Sequence, residues 1–286
     1  MSALVLFSVL THYIIASNII HEEKIVSSFW QQVVWRAPGI QAGTTLMVNY
    51  PGVDYGQDVD TVSGPANYLY FPQQTNQIPA TYQLSALEQG EYVSKDILAD
   101  PTRSYQFQYR THEDQVNYAN LLVITQPSEE SCVHVIDSRW PRQNPADGYS
   151  TLLVGPLSKV GRVIINATPP KPAASIFGPE PAHSWCFYYQ KAELALQTDD
   201  WKQILALGDE VWKQELHPQD TIEWMPFLQA YANAGDLSSM DKVSKQIKRE
   251  PFFRKQACQT LNNMNTGKYP LQPQVLDEVN RLFCQD

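Results

Sequence analysis

The sequence lacks the short signatures from which a reaction is usually read. It holds no CxxC pair, no P-loop, no Rossmann glycine pattern, no GxSxG, no HExxH and no kinase signature. A zinc ribbon or a thioredoxin-type redox centre is therefore excluded as a local motif. Positive charge is also scarce: 21 Lys and Arg stand against 30 Asp and Glu, for a formal charge of −9. The densest basic run, Lys242, Lys245, Lys248 and Arg249 with Arg254 and Lys255 beyond, is interleaved with Gln, Ser and Glu and reads as a solvated helix face. Nucleic acid is not an expected partner, because phosphate binding needs a concentrated positive field. Glycine is sparse, 13 residues against 20 prolines, and most of the prolines precede residue 182. That part of the chain is expected to be loop-rich, and the part from about residue 183 helical.

Charge is missing altogether from Ala3 to Ile20, ALVLFSVLTHYIIASNII. Eighteen such residues in a helix reach about 27 Å, close to the hydrocarbon thickness of a bilayer. No Lys or Arg precedes the run and no small-x-small cleavage site follows it, so a membrane-spanning helix is favoured over a secretory signal or a buried soluble helix. Orientation is not set, since only Lys24 lies near enough to bias it. Ile25, Phe29, Val33 and Val34 continue one helical face to Pro38-Gly39, with Trp30 and Trp35 beside it. This reads as an interfacial extension of the membrane helix, with an amphipathic helix packed on the body as the plainer alternative.

From Gly43 the hydrophobic period becomes two. Strands are expected at TTLMVNY (44–50), NYLYF (67–71), SYQFQYR (104–110), NLLVIT (120–125), CVHVID (132–137) and RVIINA (162–167), with a short helix within residues 78–99. The expected organisation is α+β: a membrane and interfacial helix over 1–38, a β-rich mixed domain over 39–168, a proline-rich linker over 169–182 and a helical domain over 183–286. Helices are expected at Ser184–Gln197, Asp200–Glu215, Thr221–Ala234, Leu237–Arg249, Phe252–Asn263 and Gln274–Cys284.

Within the helical part the stretch EWMPFLQAYANAGDL (223–237) sets Trp224, Phe227, Ala230 and Tyr231 on one face. Trp201, Ile204 and Val211 match Leu237, Met240 and Ile247 at a constant offset of 36 residues. Paired helices at such an offset resemble the tetratricopeptide repeat, whose unit is about 34 residues. Lys191 departs from the family pattern by standing where a large apolar side chain is expected. The resemblance covers residues 184–250 and implies a helical groove for a protein or peptide partner. Trp201, Trp212, Trp224 and Tyr231 are its candidate contacts, although an aromatic stripe at this spacing is most often core.

The series FWQQVVWRAPGI–GTTL, GPANYLYFP, SCVHVID and IFGPEPAHSWCFYYQKAELALQTDDW resembles the end of bacterial multi-spanning membrane proteins of glycosyltransferase-like or unassigned organisation, whose soluble C-terminal portion lies outside the cytoplasm. The resemblance implies a bacterial membrane location, an extracytoplasmic body and a possible sugar or lipid-linked acceptor. The catalytic acids of such enzymes lie between early membrane helices, so no residue here inherits that role.

Other candidates for chemistry are local. Asp54, Asp58 and Asp60 sit on a loop with Gly52, Gly56 and Gly64 and offer oxygen ligands for Ca²⁺, without EF-hand spacing. A polar loop tip built for turns is the plainer reading. Cys132 and His134 are two apart on an expected strand, as a nucleophile pair would be, near Asp137, His112, Glu113 and Asp114. A satisfied core histidine is the plainer reading. Asn166-Ala-Thr is a glycosylation triplet of the kind that arises often by chance. The cysteines Cys132, Cys186, Cys258 and Cys284 allow three pairings, of which Cys258–Cys284 is the easiest to build, or remain buried thiols. No catalytic constellation emerges. The expected role is membrane-anchored binding or assembly, and its rival is sugar recognition by the tail of a glycosyltransferase-like protein.

Overall fold

The computed structural model describes residues 2–51, 59–75, 80–109, 112–140 and 142–285. The order is α1 (Ser2–Arg36), β1 (Thr44–Asn49), α2 (Val59–Tyr70), α3 (Pro72–Thr75), β2 (Ala80–Thr81), β3 (Leu84–Leu87), α4 (Glu91–Ala99), β4 (Ser104–Tyr109), β5 (His112–Asn117), β6 (Leu121–Thr125), β7 (His134–Val135), α5 (Tyr149–Val154) and α6 (Ala174–Phe177). There follow α7 (Trp185–Gln197), α8 (Trp201–Lys213), α9 (Met225–Ala234), α10 (Leu237–Ile247), α11 (Pro251–Thr266) and α12 (Pro273–Val279). The content is mixed, helix outweighing strand.

The apolar N-terminal run is a helix, as its composition demands, and it does not stop at the expected interface. α1 is continuous over 35 residues, about 52 Å at 1.5 Å per residue. Its first half stands clear of the body, with Leu4 76%, Phe7 72% and Tyr13 72% exposed. Its second half is core: Phe29, Trp30 and Val33 are fully buried and Trp35 nearly so. The headgroup-level placement of Trp30 and Trp35 is thereby corrected. An apolar face at helical spacing next to a sheet and another helix gains more by packing than by lying at a lipid surface.

That second half packs on a four-stranded sheet of order β3-β1-β6-β7. β3, β1 and β6 run parallel, with Leu46 opposite Ala86 and Leu122, and β7 is antiparallel to β6. Both sheet faces are covered. Leu46, Val48, Leu122 and Ile124 point into the cluster that holds Phe29, Trp30 and Ala66. Met47, Leu121 and Val123 point into the cluster that holds Ile97 and Val154. This is the layered burial of parallel strands, and it explains the unbroken apolar run of NLLVIT. A smaller sheet, β2-β5-β4, carries the β4/β5 antiparallel pair.

Two expected strands are corrected. NYLYF is the end of α2, where Asn67 gives its amide to Ser63 O and Leu84 O and accepts from the backbone of Gln83 and Leu84. RVIINA contributes only a bridge from Val163 to Ile40. CVHVID shrinks to two paired residues, and HEDQVN, too polar to announce itself, forms β5. The proline-rich stretch is not a free spacer. The Phe177 carbonyl accepts from Ser27 and Gln31, and Glu180 accepts from the Trp35 indole at 2.9 Å, so this stretch is fastened along α1.

The helical part repeats at the offset found in the sequence. Asp200 caps α8 by accepting from Gln203 N, and Asp236 caps α10 by accepting from Ser239 N. Just before these caps, Asp199 and Gly235 both take positive φ, at 59° and 75°. Ile204 and Val211 are buried where Met240 and Ile247 are buried one unit later. Gly208 lets α8 approach α9 closely, since a Cβ there would meet the Tyr231 hydroxyl.

Removal of residues 1–20 is expected to leave a folded, monodisperse body, whereas removal of 1–36 abolishes folding. Trp30→Ala in the shorter chain should cost about 3–5 kcal/mol in urea unfolding. An unfolded 21–286 fragment would contradict this division of α1.

Candidate functional site

The largest concentration of buried polar chemistry lies where β7 meets α7 and the turn before α9. Asp220 opens that turn (Thr221–Trp224) by accepting from Ile222 N, and the turn delivers Glu223 into the interior with no exposure. Its carboxylate accepts from Cys132 N at 2.6 Å and from the Trp185 indole at 2.6 Å. His134 Nε2 lies 3.4 Å from Glu223 Oε1. Cys132 is bonded to Cys186, so its sulfur 3.1 Å from Glu223 Oε2 is a disulfide contact with no thiol proton. The proposed Cys132–His134 nucleophile pair is corrected by that bond: oxidation removes the thiolate that would attack.

Burial pushes the Glu223 carboxyl above its ordinary value, opposed by His134. Burial lowers His134, but Glu223, with Asp220 and Asp147 behind it, outweighs that and raises it. Asp147 accepts from Thr125 Oγ1, and Asp220 accepts from Asn144 and Ser131. Three buried acids therefore surround one imidazole. One ligand atom from each of His134, Asp220 and Glu223 lies within 4.8 Å of the others, so these three residues are the described set able to hold a metal ion.

A second seam is ionic. Arg142 pairs with Glu193 and donates to Gln229 at 2.7 Å, and burial lowers its guanidinium to about 10. Gln190 donates to Val133 O at 2.7 Å, and Arg36 donates to Gln197 at 3.1 Å. The sheet side and the helical part are thus joined by buried polar contacts as well as apolar ones, although Arg36 Nε, Arg142 Nε, Gln190 Oε1 and Gln229 Nε2 make no hydrogen bond.

The other sequence candidates fall elsewhere. Asp54 and Asp58 lie outside the described residues. Asp60 is in the first turn of α2, 4.0 Å from His112, whose ring stacks on Tyr82 at 4.2 Å. Asp114 is buried nearby, and burial, opposed by the Gln115 backbone N–H and with Asp60 adding to it, lifts its carboxyl to about 6. Asp137 is held by Arg139 at 2.7 Å. Trp224 and Tyr231 are core, not groove contacts. Trp212 is half-buried, stacking on Trp224 at 4.6 Å and donating to the Tyr231 hydroxyl at 3.0 Å. Trp201, also half-buried, rests edge-on against Tyr269. Cys258 and Cys284 form the second disulfide.

Glu223, Asp220, Arg142 and Glu193 were not singled out by sequence reasoning. Glu223 carried the one available signal, a charged residue directly before a long apolar helical face. No protein-family model, curated protein or solved structure matches the chain.

A raised acid pKa means that the folded state holds its proton more tightly than the unfolded state. The stability from Asp114 is fully present below the unfolded value near 3.8 and is lost as pH rises through about 6. Asp114→Asn is therefore expected to raise the thermal midpoint at pH 8 and leave it unchanged at pH 3.5. Equal effects at both pH values would contradict a buried, lifted carboxyl.

Proposed function

We propose that this chain is a membrane-anchored, extracytoplasmic binding or assembly protein. The observation that carries the reading is α1, whose apolar first half is exposed while its second half is built into the core. Seventeen or more lipid-facing residues continuous with the core would hold the body close to the bilayer, whereas a cleaved leader has no need of a rigid join. Both disulfides support an oxidising compartment, where such bonds persist. The paired helices from α7 to α10 support a tetratricopeptide-like scaffold for a protein or peptide partner, with the half-exposed edges of Trp201 and Trp212 at its surface.

A second reading is favoured by one cleft. About 380 Å³ beside the smaller sheet is lined by Gln83, Gln106, Gln108, Gln115, Glu113 and Tyr82. Side-chain amides offer a donor and an acceptor together, which suits a neutral sugar, and the Tyr82 ring offers a stacking edge. This supports the acceptor-recognising tail of a glycosyltransferase-like membrane protein, with the cleft as the acceptor site.

Membrane fractionation with protease protection on intact bacterial cells tests the location. The expected result is a carbonate-resistant chain whose body is digested from outside, and whose thiols react with maleimide only after reduction. A soluble, protected chain with free thiols would overturn the proposal.

A further inference from the structure

The structure assigns a role to the buried polar junction that goes beyond fastening two halves of a fold. We propose that His134, Asp220 and Glu223 bind one divalent transition-metal ion, with zinc the best match to the donor set.

The argument begins with charge. Glu223 is fully buried, Asp147 is 5% exposed and Asp220 is 7% exposed, and the single cationic candidate beside them is His134. The neighbouring guanidinium of Arg142 is committed to Glu193 and Gln229. Carboxylates withdrawn from water need a positive partner or a proton, and one imidazole does not balance three acids. A divalent cation held by the neutral imidazole offsets two of those three charges, where an imidazolium offsets one.

Distance supports the same conclusion. The His134 Nε2 to Glu223 Oε1 separation of 3.4 Å is long for a charge-assisted hydrogen bond, which prefers about 2.7–2.9 Å. Two ligands each about 2.0–2.1 Å from a tetrahedral zinc ion stand about 3.3 Å apart. The pair is thus spaced as two ligands of one ion, and His134, Asp220 and Glu223 each offer a ligand atom within 4.8 Å of the other two. His134 is 2% exposed and its Nδ1 makes no protein hydrogen bond, so the ring is engaged only through Nε2, on the side of Glu223.

The surroundings fit a metal centre. The Cys132 amide and the Trp185 indole already orient the Glu223 carboxylate, and Asn144 and the Ile222 amide orient Asp220. Such outer donors fix ligand geometry. Asp220 also lines a cleft of about 550 Å³ with Ser128, Ser131, Asn144, Thr221 and Glu250. Asp220 is thus the ligand that can be reached from the surface. Imidazole with two carboxylates selects a zinc-class ion over Ca²⁺, which takes six to eight oxygen ligands. The two disulfides leave no thiol to compete for the ion. The ion would bridge β7 and the turn before α9.

The test uses the full, oxidised chain in detergent micelles, stripped with chelator and dialysed against Zn²⁺ without reductant. The expected result is one zinc per chain by mass spectrometry, a higher thermal midpoint with Zn²⁺ than without it, and no displacement by a hundredfold excess of Ca²⁺. Co²⁺ should give visible absorption bands of a four-coordinate site. His134→Gln and Asp220→Asn are each expected to weaken zinc binding at least tenfold. Asparagine retains the cap to Ile222, so Asp220→Asn keeps the test alive if the buried histidine variant fails to fold. A folded wild-type chain that takes up no zinc overturns the proposal. So does stoichiometric binding that survives Asp220→Asn unchanged, which would place the ion elsewhere.

Discussion

Phe29, Trp30 and Val33 press the second half of α1 between the parallel sheet and α7, and much of the molecule is arranged around that contact. A helix that was only an anchor would end at the membrane surface. This one enters the body, covers one face of β1 and β6, accepts the Val133 amide through Gln32, and carries the proline-rich stretch along its side. The apolar term is large because two indole and phenyl side chains lose all contact with water there. The same geometry couples the exposed first half of α1 to the core with no intervening hinge residue: α1 contains neither proline nor glycine.

The junction beyond α7 is built on the opposite principle. Glu223, His134, Arg142 and Glu193 are buried among Trp185, Tyr189 and Phe227, where each charge is costly unless its hydrogen bonds are made. The Cys132–Cys186 bond holds the strand edge against the start of α7 and keeps these partners in reach. Polar groups of this kind fix the relative placement of two layers more narrowly than apolar packing does, because a small slip breaks several hydrogen bonds at once.

Several parts of this arrangement were legible in the residues. The charge-free run from Ala3 to Ile20 announced a long exposed helix. TTLMVNY announced a strand and NLLVIT a buried one, because a parallel strand covered on both faces needs no polar alternation. The offset of 36 residues announced paired helices, and Asp200 and Asp236 mark it again as caps. NYLYF misled because its aromatic content favours a strand, while Asn67 gains four hydrogen bonds by standing on a helix beside β3. Trp212 and Trp224 looked alike as contacts, and only their burial in the folded chain separates a half-covered ring from a core one.

What the sequence determined by itself is therefore local: where helices begin, which runs must be buried, that phosphate recognition is unsupported, and that the N-terminal segment is apolar enough for a bilayer. These follow from spacing and composition, which act over a few residues. The tertiary structure alone decided that Trp30 faces protein, that Cys132 meets Cys186 across 54 residues, and that Glu223 meets His134 across a span of 89. Those meetings depend on how three layers close on one another. A carboxylate beside an apolar helix gives no sign of its partner until the chain has brought the partner to it.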